Sequence, residues 1–241
     1  MKVHLLLTKE EINIEKIMSD KTVVIFDILL ATSTIAASLS RNAKSVIPAI
    51  NEEEARKLVC NYEETAVLAG EFNGNTIEGF LDPFPTVLIE QVEGKDVVLS
   101  TTNGTVAIRK AAGAKKVWAA SLLNADMVVE KVIENYEGET VLLVCSGSAG
   151  QFSLEDFYGA GFFISCLHTK YSGPLQLTDS AFAAKLFYES NKEDSKWILA
   201  SSRVGATLQK MGYLSEVEYV SQKNIIQVAP YVKDGIVLPC R

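Results

Sequence analysis

Short runs of Val, Ile and Leu that stop abruptly at a polar or small residue recur along the first two-thirds of the chain, at 22–27, 45–50, 65–71, 96–100, 116–119 and 140–145. Between them, segments 51–61, 105–112 and 125–136 carry apolar residues at helical spacing. No other feature constrains the fold as tightly. A strand that is one continuous apolar run is buried on both faces, and strands separated by helices pair in parallel, because parallel pairing needs a long crossover. The expected class is therefore α/β, a mostly parallel sheet with helices on both faces. The last third reads differently, with helices expected at 154–168, 178–190 and 194–211 and an extended tail over 217–237. In that tail Lys233, Asp234 and Gly235 mark a turn between apolar runs, so a helical segment and a terminal hairpin complete the fold.

A chain of 241 residues that is 48% hydrophobic can bury one large core, and no linker-like stretch divides it. A single α/β domain over 1–241 is expected. With 23 basic against 30 acidic residues the net charge is -7, and no basic run forms the concentrated face a nucleic acid needs, so nucleic-acid partners are excluded. A small anionic substrate is not, since local donors or a metal ion act at short range. Cys60, Cys145, Cys166 and Cys240 are scattered and read as reduced thiols. The opening MKVHLLLTKEE turns acidic before a signal core can form, and no apolar run spans a bilayer; the expectation is a cytoplasmic protein without a membrane partner. A homodimer is the base-rate expectation for assembly.

In an open α/β sheet, ligands gather beyond the carboxyl ends of the strands, where helix N-termini supply N–H groups and partial positive charge. Asp27 closes one strand and is followed by Thr32, Ser33 and Thr34 as candidate donors. Such a carboxylate either binds Mg²⁺ through oxygen or attacks a phosphoryl group. Leu29, where a haloacid-dehalogenase phosphatase needs a second Asp, disfavours that family. Glu71 closes another strand and offers a second hard ligand. The stretch TTNGT gathers Thr101, Thr102, Asn103, Gly104 and Thr105 between a strand and a helix, suited to an anion. After the strand at 140–145, Ser146, Gly147 and Ser148 form a phosphate-cradling turn, and Asp156 either completes a capping box with Ser153 or contributes to a metal site. His4 and His168 are the only histidines, which disfavours a multi-histidine metal centre, and no Gly-x-Ser-x-Gly elbow supports a serine hydrolase.

Taken in order, VVIFDILLATST, AGEFNG with IEGF, TTNGT, and GQFSLED with GAG span about residues 22–161, with an echo in SSRVGATLQKMG at 201–212. This series resembles the 2-phosphosulfolactate phosphatase family. The resemblance implies a phosphoric monoester hydrolase that uses Mg²⁺ to cleave 2-phosphosulfolactate to 3-sulfolactate and phosphate, a step in coenzyme M biosynthesis in methanogens and in sulfolactate formation in some bacteria. Carried onto this chain, it implies Asp27, Glu71, Thr101 to Thr105 and Ser153 to Asp156 as functional positions; among them Asp27, Asn103, Ser153 and Glu155 are the candidate catalytic residues, and the strand-end argument puts Asp27, Glu71 and Asp156 around the metal. Leu30, Phe72 and Val106 stand where that family carries arginines, and DPFP at 82–85 replaces a GNSP-like stretch. Bidentate charge-assisted bonds are the strongest grip on phosphate or sulfonate, so their loss weakens hold on a multiply anionic substrate unless Arg109, Lys110 or Arg203 compensates. The alternative reading is a non-catalytic or altered-specificity binder of a small sulfonated or carboxylated anion.

Overall fold

The structure is a computed structural model that describes residues 1–18, 20–62 and 66–241. Its strands are β1 (Lys2–Leu6), β2 (Lys21–Phe26), β3 (Ser45–Ala49), β4 (Val67–Phe72), β5 (Asn75–Thr76), β6 (Asp96–Ser100), β7 (Lys116–Ala120), β8 (Thr140–Cys145), β9 (Gln176–Leu177), β10 (Ala229–Lys233) and β11 (Ile236–Cys240). The helices are α1 (Ile14–Ile17), α2 (Ala31–Ser40), α3 (Glu52–Val59), α4 (Pro85–Leu88), α5 (Gly104–Ala111), α6 (Ala125–Glu134), α7 (Leu154–Lys170), α8 (Asp179–Ser190), α9 (Ser195–Ser201), α10 (Arg203–Lys210) and α11 (Leu214–Val220). Each expected strand is present, although the first residue of the run at 65–71 lies outside the described residues. None of the helices is long and apolar enough to cross a membrane, among the described residues.

The class is α/β with a mostly parallel sheet, ordered β5-β4-β6-β3-β11-β10-β7-β2-β8-β1-β9. Two parallel blocks make it up. In one, β4, β6 and β3 pair in register such as Gly70 with Ser100; in the other, β7, β2, β8, β1 and β9 pair in register such as Phe26 with Cys145. The apolar runs do what their pattern requires. Along β2, Val23 and Ile25 join a core with α2 and α5, including Ile35, Leu39 and Ile108, while Val24 and Phe26 join another with α6 and α7, including Val128 and Phe163.

The expected hairpin forms, with Asp234 and Gly235 at positive φ of 52° and 79° as a tight two-residue turn requires. Its place is the middle of the sheet. Antiparallel steps join β7 to β10 through Trp118 and Tyr231, β10 to β11, and β11 to β3 through Val46 and Val237. Three reversals leave the two blocks running in opposite senses, yet the loops after β2 and β6 touch, because a Cβ on Gly104 would lie 2.6 Å from Asp27 Oδ2. Five strand steps separate β2 from β6. At about 20–25° of twist each, and more where a sheet is strongly twisted, these turn the sheet well past a right angle. The sheet therefore curls around α2 and α5 and brings carboxyl ends from both blocks together.

Two expectations need correcting in the last third. The helix expected over 194–211 breaks at Ser202, which caps α10 by accepting from the Gly205 N–H at 3.1 Å while its hydroxyl donates to the Leu199 carbonyl at 2.8 Å. The tail expected to be extended from 217 begins inside α11, where buried Val217 and Val220 face the core. Among the strands, β1 and the two-residue β5 and β9 were not anticipated.

Candidate active site

Asp27 follows directly on the buried strand β2 and is itself only 8% exposed. The turn that presents it is closed by the hydroxyls behind it. Thr32 Oγ1 accepts the Asp27 N–H at 3.1 Å and donates to the Asp27 carbonyl at 2.9 Å, Ser33 Oγ donates to the Ile28 carbonyl at 2.9 Å, and Thr34 Oγ1 donates to the Pro83 carbonyl at 2.7 Å. All three side chains are buried, so they are not substrate donors as expected; they hold backbone. Nor does any of them cap α2, whose N-cap is Leu30. The carboxylate stands in for a cap, with Oδ1 accepting the Ala31 N–H at 3.4 Å.

The loop after β6 closes on Asp27 from the other block. Thr101 and Thr105 bond each other: the Thr105 N–H donates to Thr101 Oγ1 at 3.2 Å and Thr105 Oγ1 donates to the Thr101 carbonyl at 2.9 Å. Thr105 is fully buried, which removes it from the expected set of ligand donors. Gly104 is where the close approach occurs. A Cβ there would lie 2.4 Å from Ala31 Cβ, so only glycine lets the N-terminus of α5 meet that of α2 across Asp27. Glu71 braces the same loop, its Oε1 accepting the Thr102 N–H at 2.7 Å and its Oε2 accepting the Gly74 N–H at 2.7 Å and the Thr102 hydroxyl at 3.0 Å.

From β8, the third loop is held by Asp156. Its Oδ1 accepts the Ile28 N–H at 2.8 Å and its Oδ2 accepts the Gly147 N–H at 3.1 Å, tying the loop after β2 to the loop after β8. The capping-box alternative fails, because Ser153 is the N-cap of α7 but its side chain makes no capping bond. Ser146 is wholly buried and its Oγ has no hydrogen-bond partner among the described residues, whereas Ser148 and Asn103 border the cleft. Gly147 takes φ of 68°, the left-handed region that suits glycine.

Asp27, Glu155 and Asp156 are three buried carboxyls whose charges oppose one another. Burial first, then Glu71 and Glu155, push Asp27 up to about 7 against the pull of the Ala31 N–H and Lys9. Burial, then Asp27 and Glu155, push Asp156 well above the usual carboxylate range, and burial raises Glu155 despite the hydroxyls of Ser153 and Ser202 and the charge of Arg203. Lys9 is the buried counter-charge, and it was missed. Its Nζ donates to Asn103 Oδ1 at 2.8 Å and to the Ser146 carbonyl at 3.4 Å, and pairs with Glu10 at 2.9 Å. Applying the strand-end rule to β1, whose run Val3 to Leu6 stops just before Thr8 and Lys9, finds it.

Above these groups lies a cleft of about 320 Å³ bordered by Ala31, Thr101, Thr102 and Asn103 on one side and Arg203 and Leu208 on the other. Asp27 is joined to this cleft through Ala31, whose N–H donates to its carboxylate, and does not itself border it. The family model for 2-phosphosulpholactate phosphatase matches residues 6–235, which takes in all three loops. The chain belongs to the 2-phosphosulpholactate phosphatase family. A probable 2-phosphosulfolactate phosphatase of Clostridium acetobutylicum is 35% identical over 99% of this chain and 100% of its own length. Proteins of the same description from Clostridium kluyveri and Caldicellulosiruptor saccharolyticus are each 34% identical, over 98% and 88% of the chain and 97% and 89% of their own lengths.

In this member of the 2-phosphosulpholactate phosphatase family the unusual positions fall in different places. Leu30 borders the cleft together with Pro83 and Phe84 of DPFP, whereas Phe72 is exposed beyond it and Val106 does not border it. Of the compensating cations, Arg203 borders the cleft; Arg109 is engaged by the Pro48 carbonyl and Glu54, and Lys110 reaches the Lys9 carbonyl. The expected metal trio is not assembled: among the described residues no group of three or more acidic, His or Cys side chains is placed to hold an ion. Glu71 and Asp156 each spend both oxygens on backbone N–H groups. Buried carboxyls with one cation among them still fit a hard divalent ion, which keeps water and substrate oxygens in most of its positions.

Proposed function

We propose that this chain is a Mg²⁺-dependent phosphomonoesterase that cleaves 2-phosphosulfolactate or a closely related 2-phospho acid. One observation carries the reading: the N-termini of α2 and α5 meet across the Asp27 carboxylate behind the cleft. The N-terminus of α5 favours a phosphate dianion in the cleft, where the Asn103 and Gly104 N–H groups would meet the phosphoryl oxygens, since those of Thr101 and Thr102 are taken by Thr105 and Glu71. The family and the relatives support the same chemistry.

Asp27 is the residue that would hold Mg²⁺, with Asp156 fixing the loops on either side and Lys9 anchoring Asn103. The ion would supply Lewis-acid stabilisation to the phosphoryl group. Because Asp27 does not border the cleft, attack is assigned to water: its oxygen bonds to phosphorus, the ester P–O bond breaks, and the proton that the water gives up ends on the departing alkoxide as the alcohol. Four unpaired cysteines fit the reducing cytoplasm as its compartment. The test is phosphate release from 2-phosphosulfolactate with and without Mg²⁺. Release by the wild type, lost by at least 100-fold in Asp27→Asn with the melting temperature held, supports the reading; no release from this or any related 2-phospho acid by folded protein with any divalent metal rejects it. The configuration at phosphorus separates the nucleophiles: a chiral phosphate ester must react with inversion if water attacks directly, and retention would show a phospho-Asp27 intermediate.

A further inference from the structure

The cleft has two chemically different ends. Around Asn103 and Thr102 it is polar, but it is also lined by Pro83 and by Leu29, Leu30, Phe84, Val204 and Leu208, which belong to or pack against a single apolar cluster. That lining is held in place. Phe84 packs edge-on to Tyr213 at a centroid distance of 4.6 Å, and the Pro83 carbonyl accepts the buried Thr34 hydroxyl at 2.7 Å. Arg203 is the only basic side chain that borders the cleft among the described residues, and it already donates to the Ser148 carbonyl at 2.5 Å. Its guanidinium keeps donors to spare for one carboxylate. Lys9 cannot supply a second contact, because its ammonium is spent on Asn103, Ser146 and Glu10.

We infer that the preferred substrate is a phosphorylated 2-hydroxy acid whose remaining side group is apolar: phosphate at the α5 N-terminus, carboxylate at Arg203, and the side group against Leu30 and Phe84. This assignment rests on the phosphomonoesterase reading and narrows it. A side group with its own negative charge would be stripped of water against hydrocarbon with no cation to meet it, whereas an alkyl or aryl group there gains by leaving water.

A matched series of 2-phospho acids tests this, with methyl, isobutyl, benzyl or sulfomethyl as the only difference, each assayed for phosphate release with Mg²⁺. The isobutyl or benzyl ester should exceed the sulfomethyl ester in kcat/KM by at least tenfold, mainly through KM. Leu30→Arg, checked for folding by its melting temperature, should move the sulfomethyl-to-isobutyl ratio at least tenfold towards the sulfonate. A sulfomethyl ester turned over as well as or better than the apolar esters overturns the inference and leaves the phosphomonoesterase reading standing. A ratio unmoved in folded Leu30→Arg overturns the placement of the side group. Release from none of the four esters overturns both.

Discussion

Gly104→Ala tests whether the meeting of two helix N-termini across Asp27 is where the chemistry happens. The added carbon would lie 2.4 Å from Ala31 Cβ, 2.6 Å from Asp27 Oδ2 and 3.0 Å from Asp27 Cβ. Ordinary carbon–carbon contact is about 3.5 Å, so α5 and α2 must part by roughly 1 Å. Overpacking of this kind costs about 1–3 kcal/mol. Two facts limit the loss. Gly104 does not take the left-handed backbone region, so alanine meets no conformational penalty, and a helix gains up to about 1 kcal/mol when alanine replaces glycine. The net is a loss of up to about 3 kcal/mol, or a fall in melting temperature of at most about 12 °C for a chain of this size. Activity should suffer far more, because a misplacement of about 1 Å at a reacting centre costs on the order of 100-fold. Thermal melts and steady-state phosphate release measure the two effects side by side. A folded variant within about threefold of wild-type kcat would refute the argument, since the contact would then have been disturbed without disturbing the reaction.

Asp156→Asn should lower stability by about 1–3 kcal/mol and kcat with it, because an amide NH₂ replaces one of two oxygens that accept the Ile28 and Gly147 N–H groups; an unchanged melt would show that these bonds do not hold the loops. Lys9→Met should reduce kcat at least tenfold by releasing Asn103, and kcat equal to wild type would remove Lys9 from the site. The pH dependence follows from Asp27, pushed up to about 7 by burial and neighbouring carboxylates. An acid whose pKa is raised on folding contributes stability at low pH that is lost as pH rises from about 4 through 7, at most about 4 kcal/mol here. Melts in EDTA should therefore run higher at pH 5 than at pH 8, with the difference reduced in Asp27→Asn, and a melting temperature that rises over that interval would contradict the electrostatics.

What could be read from the chain alone divides along the range of the forces involved. An apolar run that stops at a carboxylate is a local signal, and it located Asp27 and Glu71 at strand ends. Hydroxyls next to such an end look alike whether they face a ligand or their own backbone, so Thr32, Ser33, Thr34 and Thr105 were assigned to the substrate when they are bound inward. Asp156 was weighed between a cap within its own helix and a metal, because its partners Ile28 and Gly147 are distant in sequence and belong to other strands' loops. The turn at Asp234 and Gly235 announced a hairpin, but its neighbours Trp118 and Val46 carry no mark of the pairing. Lys9 was legible and overlooked.

The central hairpin also orders events during synthesis. In chain order β10 and β11 follow every other strand, so a ribosome completes both parallel blocks before the piece that joins them emerges. Until then β7 and β3 each present an unpaired edge of buried-type residues such as Trp118 and Val46, a template for a wrong strand from a neighbouring nascent chain. The same interval leaves the loops bearing Asp27 and Gly104 without the curl that makes them meet. Slow translation over residues 229–240 would lengthen that exposure, and a peptide of this segment supplied in trans is a natural competitor for the gap.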